Sequence, residues 1–305
     1  MTAATPRVAP YAVLAFGVMV VSTASILIRF AHLGGASSLT IAALRLAFAT
    51  LVLTPYAWPR VRREVASAPR GVLAFAVASG IVLALHFATW ISSLEFTSVA
   101  SSAVLVTTNP IWVGLAAWAW LKEPLRPLAV AGIALGMAGG LAVFLADTAP
   151  GAAVGPDSLL GNALALVGAL AASAYLLIGR RVRDRLSLLA YIWIAYGAAA
   201  VVLLAVAAAS DRPLLGLPAM VYVLILALAL GPQLIGHTTF NWAIRRLPAP
   251  TVAMAILGEP VGAALLAWWL FDEAASPLQL AGFALLLGGI YLTARAESRS
   301  SAPAG

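Results

Sequence analysis

The sequence is a succession of long apolar runs separated by short polar segments, and this pattern limits the folds open to the chain. A helix rises 1.5 Å per residue, so about 20 apolar residues cross the roughly 30 Å hydrocarbon core of a bilayer. Runs of about this length are found near residues 10–30, 37–57, 71–93, 98–121, 127–146, 158–179, 187–208, 219–241, 249–271 and 277–294. The pattern predicts an all-α polytopic membrane protein with ten transmembrane helices.

Composition agrees with a membrane protein and narrows the partners. Hydrophobic residues make up 63% of the chain and charged residues 10%, whereas a soluble domain has about 45–50% and about 25%. The net charge of +7 comes from arginines in short loops, which the membrane surface explains better than nucleic acid does. The absence of cysteine excludes disulfides and thiolate metal sites. We expect a lipid bilayer and a small-molecule substrate as partners, no nucleic acid, no metal and no cofactor, and either a monomer or a homodimer.

The distribution of basic residues predicts the orientation in the membrane. Lys and Arg are retained on the cytoplasmic side during insertion. In the ten-helix assignment, fifteen of them lie in one alternating set of loops and ends, and Arg212 alone lies in the other set. Both termini are therefore predicted to be cytoplasmic, and we expect the protein in the cell inner membrane.

The chain also contains an internal repeat at an offset of 150 residues. Matched pairs include Pro110 and Pro260, Leu115 and Leu265, Trp118 and Trp268, Glu123 and Glu273, and Gly139 and Gly289. The predicted organisation is a first repeat at 1–146 with spans 1–5, a Pro/Gly-rich linker at 147–157, a second repeat at 158–295 with spans 6–10, and a cytoplasmic tail at 296–305. Because each repeat has an odd number of spans, the two halves should be inverted relative to each other.

Two repeat-matched dipeptides, Asn109-Pro110 and Glu259-Pro260, interrupt apolar runs and mark a candidate binding region. A proline within a helix has no N–H to donate, and the freed backbone carbonyl is costly in lipid. These helix breaks should therefore face protein or water, near the bilayer midplane where the two repeats meet. A carboxylate at that depth makes Glu259 the candidate for proton coupling. The alternative is that Glu259 only pairs with Arg45 as a packing element.

Polar residues at helical spacing extend the candidate site. His86 and Trp90 share one face of the third span, and His237 and Asn241 share one face of the eighth. Arg45 lies deep in the second span and needs an anion. The predicted substrate-binding set is His86, Trp90, Asn109, Arg45, His237, Asn241 and Tyr196. For each histidine, a structural hydrogen bond to a neighbouring helix is an equal alternative.

Two long segments resemble a known family. They are "SVASSAVLVTTNPIWVGLAAWAWLKEPL" at 98–125 and "ILGEPVGAALLAWWLFDEAASPLQLAGFALLLGGI" at 256–290, and "AALRLAFATLVL" at 42–53 is similar to the family's second helix, with its arginine at Arg45. The chain resembles the drug/metabolite transporter superfamily, in particular proteins with two EamA-type repeats. The resemblance implies export or uptake of small metabolites by alternating access, including amino acids in the YddG-like branch.

The functional hypothesis is an exporter of amphipathic amino acids, aromatic or otherwise neutral, that works by alternating access at a central cavity. Another small organic solute, such as a drug cation, a purine or a nucleotide-sugar-like compound, is the alternative, and a non-transporting scaffold is a distant one. One deep arginine argues against a dianionic substrate. An intramembrane enzyme is disfavoured, because Glu259 is a lone acid and the two histidines are expected toward opposite ends of their helices.

Overall fold

A computed structural model describes residues 9–97, 102, 105–122, 126–147, 157–210, 213–271 and 275–298, and these residues form helices joined by short turns, with no strand among them. The first half contains α1 (Ala9–Ser22), α2 (Ala24–Leu33), α3 (Ser38–Ser67), α4 (Arg70–Phe96), α5 (Asn109–Ala116), the π-helix π1 (Ala117–Leu121) and α6 (Pro127–Asp147). The second half contains α7 (Ser158–Val182), α8 (Leu188–Ala209), α9 (Ala219–Leu228), the π-helix π2 (Ala229–His237), α10 (Thr238–Ala243), α11 (Ala249–Ile256), α12 (Glu259–Phe271) and α13 (Pro277–Ser298).

Eight helical segments of the described chain are long and apolar enough to cross a membrane. They are Pro10–Leu33, Ser38–Ser67, Arg70–Phe96, Leu159–Val182, Leu188–Ala209, Ala219–Ala243, Ala249–Leu270 and Pro277–Ala296, and Pro127–Val143 is a shorter apolar helix. The predicted span at 98–121 lies partly outside the described residues. The chain is thus a multi-pass, all-helical protein, while the count of ten spans and the side of each terminus stay predictions.

Equivalent helices of the two halves begin with the same capping arrangement. The Ser37 hydroxyl accepts a hydrogen bond from the Thr40 N–H, and the Ser187 hydroxyl, 150 residues later, accepts one from the Ala190 N–H. Each hydroxyl satisfies one of the N–H groups that the first turn of a helix leaves without a partner. The caps place the starts of α3 and α8 at matching positions of the repeat.

Helix α3 continues well past its apolar run. Hydropathy predicted a span that ends at residue 57, but the helix extends through Pro59 to Ser67. The extension is amphipathic: Ala57 and Val61 are buried, whereas the arginines around them are exposed. At its end, the Glu64 carboxylate accepts hydrogen bonds from the Ser187 N–H and the Ser187 hydroxyl, the latter at 2.7 Å. Backbone hydrogen bonding does not require apolar side chains, so hydropathy marked the apolar run and missed the extension.

Contacts between the two halves occur in reciprocal pairs. Helix α3 packs on its repeat equivalent α8, and α6 packs on its equivalent α13. Helix α4 packs on α7, and in the matching contact α1 packs on π2. This reciprocity is what two halves related by a two-fold axis produce, and it places residues of both halves around a shared interior.

The contact between α6 and α13 is close enough to bring backbone against backbone. A Cβ atom added to Gly139 would lie 2.6 Å from the Gly282 carbonyl oxygen, and one added to Gly282 would lie 2.8 Å from the Gly139 carbonyl oxygen. Only glycine permits this approach, as at other small-residue contacts between membrane helices.

Candidate functional site

The fourth and ninth segments are both broken at matching positions. Helix α11 ends at Ile256, Leu257 and Gly258 form a turn, and α12 begins at Glu259; α5 likewise begins at Asn109 after a turn at residues 107–108. In the turns, the Gly258 N–H bonds to the Ala255 carbonyl at 2.9 Å, and the Thr108 N–H bonds to the Leu105 carbonyl at 3.2 Å. In each turn the N–H bonds to the carbonyl three residues earlier and not to the one four residues earlier. The regular α-helical pattern is interrupted there, and the preceding helix ends.

Pro110 and Pro260 were predicted as the helix-breaking residues, and the structure places each in the first turn of the helix that follows the break. A proline in a first turn loses no hydrogen bond, because N–H groups there have no partner within the helix. The polar residue before each proline, Asn109 or Glu259, therefore becomes the first residue of a new half-helix.

A cavity of about 60 Å³ lies beside the starts of these half-helices and is lined by residues of both halves of the chain. Six of the predicted site residues line it: Arg45, His86, Trp90, Asn109, His237 and Glu259. The remaining lining residues are mostly apolar or aromatic and include Val21, Ala24, Leu83, Val106, Thr107, Ala172, Tyr175, Leu176, Phe240 and Ile256. The cavity thus has an apolar wall with a small number of polar groups, as ligand pockets generally do.

Arg45 is fully buried, and its guanidinium group has contacts along one edge and on one face. Its Nε donates a hydrogen bond of 3.1 Å to Oε1 of Gln233 in π2, and its guanidinium carbon lies 4.3 Å from the centroid of the Phe87 ring. The terminal nitrogens Nη1 and Nη2 have no hydrogen-bond partner among the described residues. A guanidinium in this state is a strong donor pair without an acceptor.

Glu259 lies on the same cavity and is the carboxylate that acts electrostatically on Arg45. It does not accept a hydrogen bond from Nη1 or Nη2 of Arg45, since both nitrogens are without partners. The alternative of a directly hydrogen-bonded packing pair is therefore not what the structure contains.

His86 and Trp90 form a stacked pair on α4. The His86 Nδ1 lies 2.9 Å from the Gly168 carbonyl oxygen, so Nδ1 carries the proton of the neutral ring. The His86 and Trp90 rings are nearly parallel at an angle of 9° with centroids 5.7 Å apart. The hydrogen bond to α7 fixes the pair as a flat aromatic surface on the cavity.

His86 and His237 both belong to the predicted substrate-binding set, and both line the cavity. The Phe87 centroid lies 4.8 Å from that of His86 and 5.3 Å from that of His237. The enzyme alternative was disfavoured partly because the two histidines were expected toward opposite ends of their helices, and their shared contact with Phe87 shows them closer together than that argument assumed.

Asn241 and Tyr196, which were predicted to bind substrate, lie behind the cavity wall. The Asn241 Nδ2 donates to the Tyr175 hydroxyl at 2.6 Å and to the His237 carbonyl at 2.8 Å. The Tyr196 hydroxyl contacts the Thr238 hydroxyl at 3.3 Å. Neither side chain lines the cavity, and Oδ1 of Asn241 has no hydrogen-bond partner among the described residues. Tyr175, whose hydroxyl Asn241 holds, lines the cavity in their place.

The predicted substrate-binding set left out Gln233, although the sequence places Gln233 on the polar face that His237 and Asn241 share, and it left out Phe87 and Thr107. Gln233 had a usable signal, because it precedes His237 by one helical turn in an apolar run and a buried amide requires a partner. Thr107 lies two residues before Asn109, within the break. Phe87 carried no signal, since an aromatic residue in an apolar helix is ordinary. Among the described residues, no group of three or more His, Asp or Glu side chains is placed to hold a metal ion.

Comparison with known proteins adds the family. The EamA-like transporter family matches residues 9–145 and, a second time, residues 159–295. The chain belongs to the EamA-like transporter family. A solved crystal structure of a protein matches this EamA-like chain with a TM-score of 0.77 and 19% identity, over 97% of this chain and 100% of the other, and so shows the same fold. No curated protein matches the sequence.

Family membership explains the organisation of the helices. Two family matches in one chain mean two EamA-like repeats. The family is one of membrane transporters for small solutes and not a family of enzymes, so a small-molecule substrate and a bilayer are the partners of this EamA-like protein. In transporters built from inverted repeats, the substrate site generally lies near the midplane at the interface between the repeats.

Proposed function

We propose that this EamA-like protein exports a small amphipathic amino acid, aromatic or otherwise neutral, across the inner membrane, as proteins of the YddG-like branch do. The observation that carries the proposal is Arg45, a fully buried guanidinium that lines the cavity with two free nitrogens. A guanidinium binds a carboxylate through two parallel hydrogen bonds. A substrate carboxylate would supply the acceptors that the protein itself does not provide.

The charges around the cavity match a zwitterion. Arg45 offers one positive group for a carboxylate, and Glu259 offers one negative group for an ammonium. A drug cation would meet the unpaired charge of Arg45, and a dianion such as a nucleotide sugar would lack a second cation. The aromatic wall, with Trp90, Tyr175 and Phe240, suits an apolar or aromatic substrate side chain.

Alternating access is supported by the breaks and by the size of the cavity. A volume of about 60 Å³ holds only about four to six water molecules, so the walls have to separate to admit an amino acid. The half-helices that begin at Asn109 and Glu259 come from different repeats, and both contribute to the wall. Relative movement of the repeats would therefore change the cavity and its access together.

Transport in proteoliposomes tests the proposal. We expect the purified protein to move phenylalanine or leucine faster than phenethylamine, hypoxanthine or a nucleotide sugar. Arg45→Gln should reduce amino-acid flux by at least about tenfold, because a lost charge-assisted pair in a buried site costs about 1.5–3 kcal/mol. Arg29→Gln is the matched control, since Arg29 is an exposed arginine on α2 outside the cavity. Flux of the amine, the purine or the nucleotide sugar alone, or no flux of any compound, would contradict the proposal.

A further inference from the structure

We infer that Gln233 is the positioning residue that makes the cavity selective for a carboxylate, by holding one edge of Arg45 so that only the Nη1/Nη2 edge is open to substrate. This inference rests on the proposed function and names the carboxylate as the group of the substrate that the site recognises. Gln233 does not line the cavity and acts through Arg45.

The geometry around the guanidinium leaves one direction of approach. A guanidinium has two edges that can bind a carboxylate with two hydrogen bonds, Nε with one Nη or Nη1 with Nη2. The Nε of Arg45 is engaged by Gln233 at 3.1 Å, and the Phe87 ring covers one face at 4.3 Å. The open edge is therefore Nη1/Nη2, and both atoms lack partners.

The buried atoms without partners divide into donors and acceptors. On the Arg45 side, Nη1 and Nη2 of Arg45 and Nε2 of Gln233 are donors, whereas Oδ1 of Asn241, behind the cavity wall, is an acceptor. At the break in the fourth segment the corresponding atom is an acceptor, Oδ1 of Asn109, and Glu259 adds a carboxylate at the matching break. Buried polar groups in proteins are nearly all paired. Of these residues, Arg45, Asn109 and Glu259 line the cavity, and a ligand with an acidic group at one end and an ammonium at the other would pair their atoms.

The backbone of π2 explains how Gln233 reaches Arg45. Gln233 follows Pro232, which has no N–H for the helical ladder, and both residues are buried within the nine-residue π-helix Ala229–His237. A π-helical turn is wider than an α-helical one and is frequently found at functional sites. Helix π2 packs on α3, and across that contact Gln233 accepts the hydrogen bond from Arg45. His237 lies one turn further along π2 and lines the cavity.

The test compares a carboxylate with its amide. L-phenylalanine and L-phenylalaninamide share the side chain and the amino group and differ only in the carboxylate. We would measure kcat/KM for both in proteoliposomes with the unchanged protein, Gln233→Met and Gln233→Glu. Gln233→Met keeps the side-chain length and removes the acceptor for Nε. Gln233→Glu keeps the shape and adds a charge that competes for Arg45.

We expect the unchanged protein to prefer phenylalanine. In Gln233→Met the preference for the acid over the amide should fall about tenfold, through a higher KM for phenylalanine. The reason is that a site built to bind a polar group discriminates strongly only when its own groups are oriented. In Gln233→Glu the preference should fall further. Thr251→Val is the control, because Thr251 is a buried residue whose hydroxyl also lacks a partner among the described residues but which does not line the cavity.

The outcomes separate this inference from the proposed function. If the protein moves phenylalanine and both Gln233 variants keep the unchanged ratio of acid to amide, the role of Gln233 is overturned and the transport function stands. If the unchanged protein moves no amino acid, the proposed function fails, and a thermal-shift measurement then decides on Gln233. In that measurement 3-phenylpropionate should stabilise the unchanged protein more than 3-phenylpropionamide, and Gln233→Met should remove the difference; equal shifts in both proteins overturn the inference.

Discussion

Arg45 and Glu259 show how single polar residues in apolar helices report a binding site. Burying a charge costs several kcal/mol unless a partner compensates. Among the described residues, Arg45 has a hydrogen-bond partner only at Nε, through Gln233, and a ring over one face. Glu259 lies on the same cavity and accepts no hydrogen bond from the guanidinium ends. Both side chains therefore keep hydrogen-bonding capacity that the proposed substrate would use.

Glu259→Gln tests proton coupling at the residue scale. If a proton on Glu259 is exchanged during transport, the amide should make the rate of amino-acid transport independent of pH over about pH 5–8, because glutamine cannot titrate. The measurement is the initial rate in proteoliposomes across that pH range. Glu95→Gln is the matched acid control, since Glu95 accepts a hydrogen bond from the Ser38 N–H and does not line the cavity. The same pH dependence in Glu259→Gln as in the unchanged protein would remove Glu259 as the proton site.

At the scale of elements, interrupted helices build the site and continuous helices support it. The half-helices that begin at Asn109 and Glu259, together with π2, supply irregular backbone around the cavity. Irregular backbone at membrane depth is tolerated where protein or a cavity surrounds it. Helices α6 and α13 are continuous, lie outside the cavity lining and pack through glycines. We expect this second pair to contribute to stability and not to substrate contact.

Gly139→Ala tests that division. The added methyl group would lie 2.6 Å from the Gly282 carbonyl oxygen, so the helices must separate, and such overpacking costs about 1–3 kcal/mol. The apparent melting temperature in detergent should therefore fall. The matched control is Gly71→Ala in α4, where a Cβ meets nothing within 4 Å. Equal apparent melting temperatures of the two variants would show that the close α6–α13 contact is not a source of stability.

The two halves meet in reciprocal pairs at the scale of the whole molecule. The most extensive contacts between the halves, such as α4 with α7, have a counterpart with the roles exchanged, here α1 with π2. The two family matches cover the same two halves. Together with the distribution of arginines, this leads us to expect that equivalent helices cross the membrane in opposite directions.

Single cysteines test the inversion, because the chain has no cysteine of its own. Ser67 ends α3, and Ser210 follows the end of the equivalent helix α8; both side chains are exposed. A maleimide that cannot cross membranes should label Ser210→Cys in intact cells and should label Ser67→Cys only after the cells are opened. Labelling of both residues from the same side would show that the halves are not inverted, and it would also contradict two cytoplasmic termini with ten spans.

The sequence could predict those features of the fold and of the candidate site that depend on interactions over a few residues. Apolar length, basic loops, capping serines and the proline dipeptides act over a few residues, so the helices, the two repeats and Arg45, Asn109 and Glu259 as polar positions could be predicted. Two features depend on how distant helices pack: the exclusion of Asn241 and Tyr196 from the cavity wall, and the hydrogen bond from Arg45 to Gln233. Gln233 and Arg45 are 188 residues apart in the chain, and no local pattern records that contact. A contact between residues of the two repeats depends on which face of each helix packs inward, and only the tertiary structure decides that.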